Sequence, residues 1–429
     1  MGAQEVQNGA AVDTTLNPLV AAVQPSKTML LTDLAGSMRA SGVDVISLAA
    51  GEPDFDTPQP VAEAGIQAIR GGDTHYTANM GTLPLRKALQ QKLQAENGLE
   101  YGTDEIVVSN GAKQAIWQGL LATCSPGDEV LIPAPYWTSY PEMARLARAH
   151  PVILDCPASE GYLLTAQQLR AALTPQSRLL ILCTPSNPSG AVYSLERLQE
   201  LAEVVAEHPR LLVLSDEIYE HIVYQPAQHH SFGALPSMWP RTLTVNGFSK
   251  AFAMTGWRLG YLAAPRVFAK AAAAIQSQTT SGASSIAQAA GVAALELGQA
   301  GGPLVADMVQ SFQQRRDFVV EQLWKIPGMV IPEPEGAFYA LPEVTAFFGP
   351  DVEADDFGGI PDVDTLCRYL LEKAHVAMVP GDAFGAPTCL RISYATSMQN
   401  LEGAMSRVQA ALGSKSFKRR ESMAESKTS

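Results

Sequence analysis

The chain has 429 residues, of which 46% are hydrophobic and 17% are charged, and its formal net charge is −13. This length and apolar content exclude a disordered chain and predict two or three domains, or one large and one small. The negative charge repels phosphate backbones and argues against general nucleic-acid binding. Five cysteines without a CxxC pair exclude a disulfide framework and a simple zinc knuckle, so we expect a reducing compartment and no metal.

The N-terminal region carries no targeting signal that we recognise. Glu5 and Asp13 precede the first basic residue, Lys27, which argues against a secretory signal and a transit peptide. The longest charge-free stretch, residues 271–295, is interrupted by five polar residues and is predicted to be a buried helix region. We therefore expect no association with a membrane.

Apolar runs alternate with amphipathic stretches along the chain, which is typical of an α/β sheet with crossover helices. One such stretch, 195–206, has helical periodicity. Ligands bind such sheets at the carboxyl ends of the strands, so the residues that follow each strand are candidates for a site. Five runs are predicted to be buried strands: 106–109, 130–133, 179–183, 211–215 and 242–245.

The regular alternation ends near residue 310, where we predict a smaller α+β domain with strands at 336–339 and 389–393. The last residues are polar, and their basic cluster at 415–420 is interpreted as a solvated end. The predicted boundaries are a loose N-terminus (1–14), a small domain (15–64 with 311–413), a large cofactor-binding domain (65–310) and a disordered tail (414–429).

Several nucleotide-binding and hydrolase motifs are missing. No GxGxxG fingerprint and no Gly-Lys dipeptide of a P-loop occur, and HExxH and GxSxG are also lacking. Nucleotide-dependent transfer therefore becomes improbable.

The most informative segment runs from Ser249 to Gly260. Lys250 directly follows a predicted strand in apolar surroundings, where desolvation lowers an amine's pKa and suits it to Schiff-base chemistry. Arg258, eight residues later and beside glycines, is suited to hold an anionic group. Taken alone, Lys250 would be a surface lysine, and only the neighbouring motifs favour the chemical interpretation.

Polar groups after the other strands have both a chemical and a structural interpretation. Asp216 ends an apolar strand and needs a cationic partner such as a pyridinium nitrogen, or it caps a helix. Tyr219 and Asn187 are placed to contact a phenolic oxygen, although Asn187 also belongs to an ordinary Asn-Pro turn. Trp137 either stacks on an aromatic cofactor or packs in the core. Gly111 permits a phosphate to approach a helix N-terminus.

These motifs resemble, in the same order, the class I, fold-type-I pyridoxal phosphate aminotransferases. The residues concerned are Asn-Pro-Ser-Gly at 187–190, Asp-Glu-Ile-Tyr at 216–219, Ser249-Lys250 and Gly-Trp-Arg at 256–258. Residues 49–58 and 391–395 are similar to the aspartate aminotransferase branch that contains bifunctional aspartate/glutamate–prephenate aminotransferases. Residues 25–29 and 281–288 resemble its plant and algal members.

The resemblance implies a fold with a large, mostly parallel seven-stranded sheet, and a site for pyridoxal 5'-phosphate. Lys250 would form the internal aldimine and move the proton between the substrate Cα and the cofactor. The remaining implied cofactor contacts are Asp216 to the ring nitrogen, Tyr219 and Asn187 to the phenolic oxygen, Trp137 on the ring, Arg258, Ser249 and the amides at Gly111 and Ala112 to the phosphate, and Tyr76 to the phosphate of the neighbouring subunit of a homodimer.

The resemblance also implies two substrate anion sites. Arg391, assisted by Gly51 and with Trp137 and Asn187 nearby, would bind the α-carboxylate, whereas Lys113 and Thr28 would receive a second carboxylate. Lys113 otherwise serves only the phosphate loop. Ser189 replaces the usual threonine, and we identify no second arginine of the kind that some relatives borrow from a partner subunit.

The predicted function is ping-pong transamination between glutamate or aspartate and a dicarboxylic oxo acid. The predicted acceptors are prephenate, which is converted to arogenate, and also oxaloacetate or 2-oxoglutarate. The alternatives are a plain aspartate aminotransferase and a lyase of the aminocyclopropane carboxylate synthase type. The plant-like resemblance suggests the plastid stroma, with the cytoplasm as the alternative.

Overall fold

The structure, a computed structural model, describes residues 12–23, 27–414 and 417–418. Residues 1–11 of the predicted loose N-terminus lie outside the described residues, as does most of the predicted tail. The described helices are α1 (Pro18–Ala21), α2 (Lys27–Ala40), α3 (Gln59–Arg70), α4 (Leu83–Asn97), α5 (Ala112–Thr123), α6 (Ser139–Leu146), α7 (Ala166–Ala172), α8 (Leu195–Glu207), α9 (Arg266–Ser277), α10 (Ser285–Leu295), α11 (Gly302–Trp324), α12 (Val363–Ala374) and α13 (Met398–Leu412).

The described strands are β1 (Ile46–Ser47), β2 (Ile106–Ser109), β3 (Glu129–Ala134), β4 (His150–Asp155), β5 (Ser177–Cys183), β6 (Leu212–Asp216), β7 (Thr242–Gly247), β8 (Gly260–Ala263), β9 (Tyr339–Ala340), β10 (Glu353–Ala354), β11 (Gly358–Gly359), β12 (Val376–Ala377), β13 (Val379–Pro380), β14 (Leu390–Ser393) and β15 (Phe417–Lys418).

The central sheet has seven strands in the order β2-β8-β7-β6-β5-β3-β4. Every neighbouring pair is parallel except the two that involve β8. All five predicted strands belong to this sheet, and their bounds move by no more than two residues. The inner strands β6 and β7 are buried along their whole length, as expected for a parallel sheet that helices cover on both faces. The α/β prediction is confirmed.

Residues 271–295, predicted to be a buried helix region, belong to two helices separated by a short break. Helix α9 ends at Ser277, and α10 begins at Ser285, where the Ser284 hydroxyl accepts a hydrogen bond from the Ala287 amide. Between them Gly282 has a φ of +127°, a backbone conformation that a helix cannot contain. The break brings residues 281–286 to the surface beside residues 74–77.

The N-terminal segment joins the part of the chain that follows residue 310. Strand β1 pairs in parallel with β12, and the Ser393 amide donates to the Leu48 carbonyl. These contacts are those expected if 15–64 and 311–413 form one small domain, and the boundaries themselves remain a prediction. A second small sheet, in the order β13-β14-β9, carries Tyr339 opposite Ser393.

Two predictions for the C-terminal region need correction. The strand predicted at 336–339 begins only at Tyr339, because the amides of Gly336 and Ala337 bond to Gly190 and Ile222 and Ala337 has a φ of +56°. The predicted disordered tail contains a strand, β15, that pairs with β10. Phe417 is buried there against Phe347 and Tyr369, and burial of an aromatic ring offsets the entropy of ordering these residues.

Within residues 12–23, 27–414 and 417–418, no helix is both long and apolar enough to span a bilayer.

Candidate active site

A cavity of about 580 Å³ opens at the carboxyl ends of the central strands. The sequence predicts a site at these ends, because the loops that follow the strands meet there. Eleven predicted site residues line the cavity: Gly51, Ala112, Lys113, Trp137, Asn187, Asp216, Tyr219, Ser249, Lys250, Arg258 and Arg391. They come from eight separate segments of the sequence, and the fold brings them together.

Three predicted residues do not line this cavity. Gly111 lies directly beside it, because a Cβ built on Gly111 would stand 2.5 Å from Arg258 Nη2. Tyr76 is 96% exposed and borders a separate surface depression with residues 281–286. Thr28 belongs to helix α2, but its side chain lies outside the described residues.

Lys250 follows β7 and reaches the centre of the cavity. Its Nζ donates a hydrogen bond to the Gly51 carbonyl and lies 5.9 Å from the ring centre of Tyr219. Desolvation lowers the pKa of the Lys250 amine to about 8, against the opposing charge of Glu52. More of this amine than of an ordinary lysine is therefore neutral near physiological pH, and the neutral amine is the state that attacks a carbonyl carbon.

Asp216 ends β6 and is 4% exposed. Tyr140 donates to its Oδ2 at 2.6 Å, and the Ile218 amide donates to its Oδ1 at 3.3 Å. No helix begins at Asp216, so it does not cap a helix. Its only local hydrogen bond in the described chain is the one from the Ile218 amide. Burial raises the pKa of the carboxyl group to about 6, because no lysine or arginine of the described chain forms an ion pair with it.

A buried ion pair holds the turn that carries Asp216 and Tyr219 in place. Lys92 of α4 contacts the carboxylate of Glu220, which also accepts hydrogen bonds from Asn97 and Asn246, both at 2.7 Å. A buried charge pair needs this degree of hydrogen bonding to offset its desolvation. The pair fixes the turn so that Asp216 and Tyr219 face the cavity.

Arg391 lies on β14 and is 2% exposed. Its Nη1 donates to Asn187 Oδ1 at 3.1 Å and its Nη2 donates to the Ala49 carbonyl at 2.7 Å. Its Nε is buried without an acceptor in the described chain. A buried guanidinium that lacks a carboxylate partner is costly, and an anionic ligand in the cavity would supply that partner.

The start of helix α5 has the properties of an anion-binding site. The helix begins at Ala112, and no side chain caps the amides of its first turn. Gly111 has a φ of +85°, and a Cβ on Gly260 would lie 2.5 Å from the Ala112 amide nitrogen. Arg258 stands beside this turn, where its Nη1 donates to the Thr255 carbonyl at 2.9 Å. Free amides, the helix dipole and the guanidinium all favour a phosphate.

The charge of the cavity is opposite to that of the whole molecule. Four cationic side chains line it, against two carboxylates, those of Asp216 and Glu52. Lys113 is one of the four, with its Nζ 4.8 Å from the centre of the Trp137 ring. Partial desolvation and the neighbouring Arg258 lower the Lys113 pKa. Although the chain has a net charge of −13, this cavity is built for anions.

Sequence reasoning missed three residues that complete the site. Tyr140 contacts Asp216, Tyr339 contacts Tyr219 through their hydroxyls at 2.9 Å, and Glu52 accepts a hydrogen bond from Thr255 at 2.9 Å. Tyr140 is three residues after Trp137, at the start of α6, and this short spacing was a usable signal, since the two ring centres lie 5.3 Å apart. The other two depend on contacts across more than 100 residues.

The chain is similar to proteins of known family over nearly its whole length. The family "Aminotransferase class I and II" matches residues 43–408. The "Bifunctional aspartate aminotransferase and glutamate/aspartate-prephenate aminotransferase" of Petunia hybrida is 62% identical over 401 residues, which cover 94% of this chain and 83% of the relative.

Two solved structures have the same fold. The aspartate aminotransferase of Rhizobium meliloti has a TM-score of 0.89 and 45% identity, over 94% of this chain and all of that chain. The aspartate aminotransferase of Thermus thermophilus with maleate has a TM-score of 0.87 and 40% identity, over 93% of this chain and all of that chain. The chain belongs to the class I and II aminotransferase family and is an aminotransferase of the α/β fold type I.

Proposed function

We propose that this aminotransferase uses pyridoxal 5'-phosphate to move an amino group between glutamate or aspartate and a dicarboxylic oxo acid. The proposed acceptors are prephenate, which yields arogenate, and oxaloacetate or 2-oxoglutarate. The observation that carries the proposal is the pair of cations, Arg391 and Lys113, that line one cavity with Lys250 and have no carboxylate partner in the described chain.

The residues present fit the proposed cofactor at each of its polar groups. Asp216 is a buried carboxylate that lacks a cation, which a protonated ring nitrogen would supply. The uncapped start of α5 and Arg258, together with Ser249, fit the phosphate. Trp137 offers an indole face for the ring.

When bound, pyridoxal phosphate would supply an electron sink for the substrate Cα and a carrier for the amino nitrogen. Lys250 Nζ, with its lowered pKa, would take the proton from the substrate Cα and deliver it to the cofactor. Asp216 would keep the ring nitrogen protonated. Tyr219 and Asn187 would hold the phenolic oxygen, and Asn187 Nδ2 donates no hydrogen bond within the described residues.

Arg391 would bind the α-carboxylate common to all substrates. Its guanidinium is already fixed in plane by Asn187 Oδ1 and the Ala49 carbonyl. A planar fork held in this way forms two parallel hydrogen bonds with a carboxylate at little entropic cost. Gly51, whose carbonyl lies beside Lys250, completes the wall on this side.

Lys113, assisted by Thr28, would bind the second carboxylate. The alternative is that Lys113 serves only the phosphate at the start of α5. Two relatives support a site for a second carboxylate. The name of the petunia protein includes prephenate, and the Thermus thermophilus structure contains maleate, which has two carboxylates.

A charge-removing substitution distinguishes these roles of Lys113. We expect Lys113→Met to lower kcat/KM for aspartate by about 10- to 100-fold, since a charge-assisted hydrogen bond contributes roughly 1.5–3 kcal/mol. Activity with alanine, which has one carboxylate, should change by less than about threefold. Lys270→Met, on an exposed position of α9, is the matched control. Equal losses for both substrates, with weaker cofactor binding, would assign Lys113 to the phosphate instead.

The alternatives predict different products. A plain aspartate aminotransferase accepts oxaloacetate but not prephenate. A lyase of the aminocyclopropane carboxylate synthase type forms product without any oxo-acid acceptor, which product analysis in the absence of an acceptor detects.

We further propose a homodimer in which Tyr76 completes the site of the partner subunit. Tyr76 is 96% exposed and outside the cavity of its own chain, as a residue that serves another subunit would be. We also propose the plastid stroma as the compartment, because the 62% identical relative is from a plant. Imaging of a fluorescent fusion to the full-length gene product tests the compartment.

A further inference from the structure

Tyr339 contacts two of the proposed site residues at once. It lies on β9, opposite Ser393 of β14, and is therefore the diagonal neighbour of Arg391 on the same sheet. The Arg391 guanidinium lies 4.6 Å from the centre of the Tyr339 ring. At the other end of the side chain, the Tyr339 hydroxyl is 2.9 Å from the Tyr219 hydroxyl.

The hydroxyl pair leaves one proton without an acceptor. Both tyrosines are buried, at 0% and 3% exposure, and either hydroxyl can donate to the other. Two hydroxyls share one hydrogen bond between them, and neither makes another within the described chain. Since both side chains line the cavity, the remaining O–H needs an acceptor there, such as an anionic oxygen of a ligand.

We propose that Tyr339 is a positioning residue that donates its hydroxyl proton to Tyr219 and supports the Arg391 guanidinium with its ring. The inference rests on the proposed function, in which Tyr219 contacts the cofactor's phenolic oxygen and Arg391 binds the substrate carboxylate. Donation by Tyr339 polarises the Tyr219 O–H and strengthens its bond to that oxygen. The ring restricts Arg391 to the plane in which both of its amino groups reach a carboxylate.

Two substitutions separate the hydroxyl from the ring. In the holoenzyme, Tyr339→Phe should raise the pH midpoint of the cofactor's absorption change by about half a pH unit, because the phenolic oxygen is less stabilised as an anion. Its affinity for maleate, measured by equilibrium titration, should stay within about threefold of the wild type. Tyr339→Leu should weaken maleate binding by at least about tenfold, since the support for Arg391 is lost.

Tyr394→Phe is the matched control. Tyr394 is also fully buried, and its hydroxyl lies 3.3 Å from that of Tyr224, but neither ring lines the cavity. We expect this variant to change neither the pH midpoint nor the maleate affinity. If Tyr339→Leu does not fold, Tyr339→Met, a flexible filler of similar length, replaces it.

Four results would overturn the inference or its basis. An unchanged pH midpoint in Tyr339→Phe contradicts the hydroxyl role, and unchanged maleate affinity in the leucine or methionine variant contradicts the ring role. A shift in Tyr394→Phe equal to that in Tyr339→Phe would mean that any lost hydroxyl has this effect. If the wild type itself binds neither pyridoxal phosphate nor maleate, the proposed function fails rather than this inference.

Discussion

Desolvation shifts the two central ionisable groups of the site in opposite directions. It lowers the pKa of the Lys250 amine to about 8 and raises the pKa of the Asp216 carboxyl to about 6. Each shift moves the group towards its neutral form, because a low-dielectric site disfavours either charge. A cationic group of a ligand would offset the cost of burying the Asp216 carboxylate, and this gain would contribute to the binding free energy of the ligand.

The pKa of Asp216 predicts how the stability of the cofactor-free protein depends on pH. The folded-state pKa of about 6 lies above the ordinary value of 3.8, so the folded protein holds a proton that the unfolded chain has already released. Stability is therefore lost as pH rises from about 4 through 6, by up to ~3 kcal/mol.

Asp216→Asn removes this dependence. Relative to the wild type, the cofactor-free variant should gain stability between pH 4 and pH 7, as measured by guanidinium unfolding at both values. Asp351→Asn, at an exposed position, serves as the control. A stability difference between Asp216→Asn and the wild type that is the same at pH 4 and pH 7 would contradict the assigned pKa.

Helix α5 and the loop before it show how one element creates a binding site. The prediction from sequence rested on Gly111 and a helix that starts directly after a strand, and the structure gives the glycine a φ of +85° and an uncapped first turn. A Cβ on Gly111 would also lie 2.5 Å from Arg258 Nη2, so a side chain there would displace the guanidinium. The glycine is required for space as well as for backbone geometry.

We expect Gly111→Ala to weaken pyridoxal phosphate binding by more than about tenfold and to destabilise the protein by ~1–2 kcal/mol. The new Cβ would lie 2.5 Å from Arg258 Nη2 and displace the guanidinium. Gly98→Ala is a matched control, since Gly98 also has a positive φ, +66°, but no atom lies within 4 Å of its built Cβ. Equal loss of cofactor affinity in both variants would show that backbone strain alone is responsible.

The elements that could be predicted from sequence are those with local signals. Buried parallel strands consist of continuous apolar runs, and a polar residue at the end of such a run lies at the edge where ligands bind, which located Asp216 and Lys250. Tyr339 was missed because its partner, Tyr219, is 120 residues away. The spacing of Tyr140 from Trp137 was a usable signal, but its partner, Asp216, is 76 residues away and could not be identified from it. The strand β15 was missed because two residues in a polar tail carry no periodicity, and only pairing with β10 orders them.

Across the whole molecule, the net charge of the chain and the charge of the cavity have opposite signs. The chain has a net charge of −13, whereas four cationic side chains and only two carboxylates line the cavity. A small dianionic substrate is therefore attracted only once it reaches the mouth of the site.

The proposed dimer predicts complementation between two defective chains. Lys250→Ala removes the amine from its own site, whereas Tyr76→Ala should impair only the site of the partner subunit. In a statistical mixture, mixed dimers carry one intact site, and we expect about a quarter of wild-type activity. Activity no higher than that of the unmixed variants would contradict a shared site, and native mass spectrometry, which separates mixed dimers from homodimers by mass, checks that exchange has occurred.

We propose that one cavity accepts both prephenate and oxaloacetate as dicarboxylic amino acceptors. The most direct measurement loads the purified holoenzyme with amine from glutamate, removes the glutamate, and follows the cofactor's absorption after one acceptor is added. We predict that prephenate and oxaloacetate each restore the original spectrum in a single turnover, with arogenate and aspartate as the products. Restoration by oxaloacetate alone would contradict the bifunctional assignment, and restoration by neither would contradict the dicarboxylate site at Lys113.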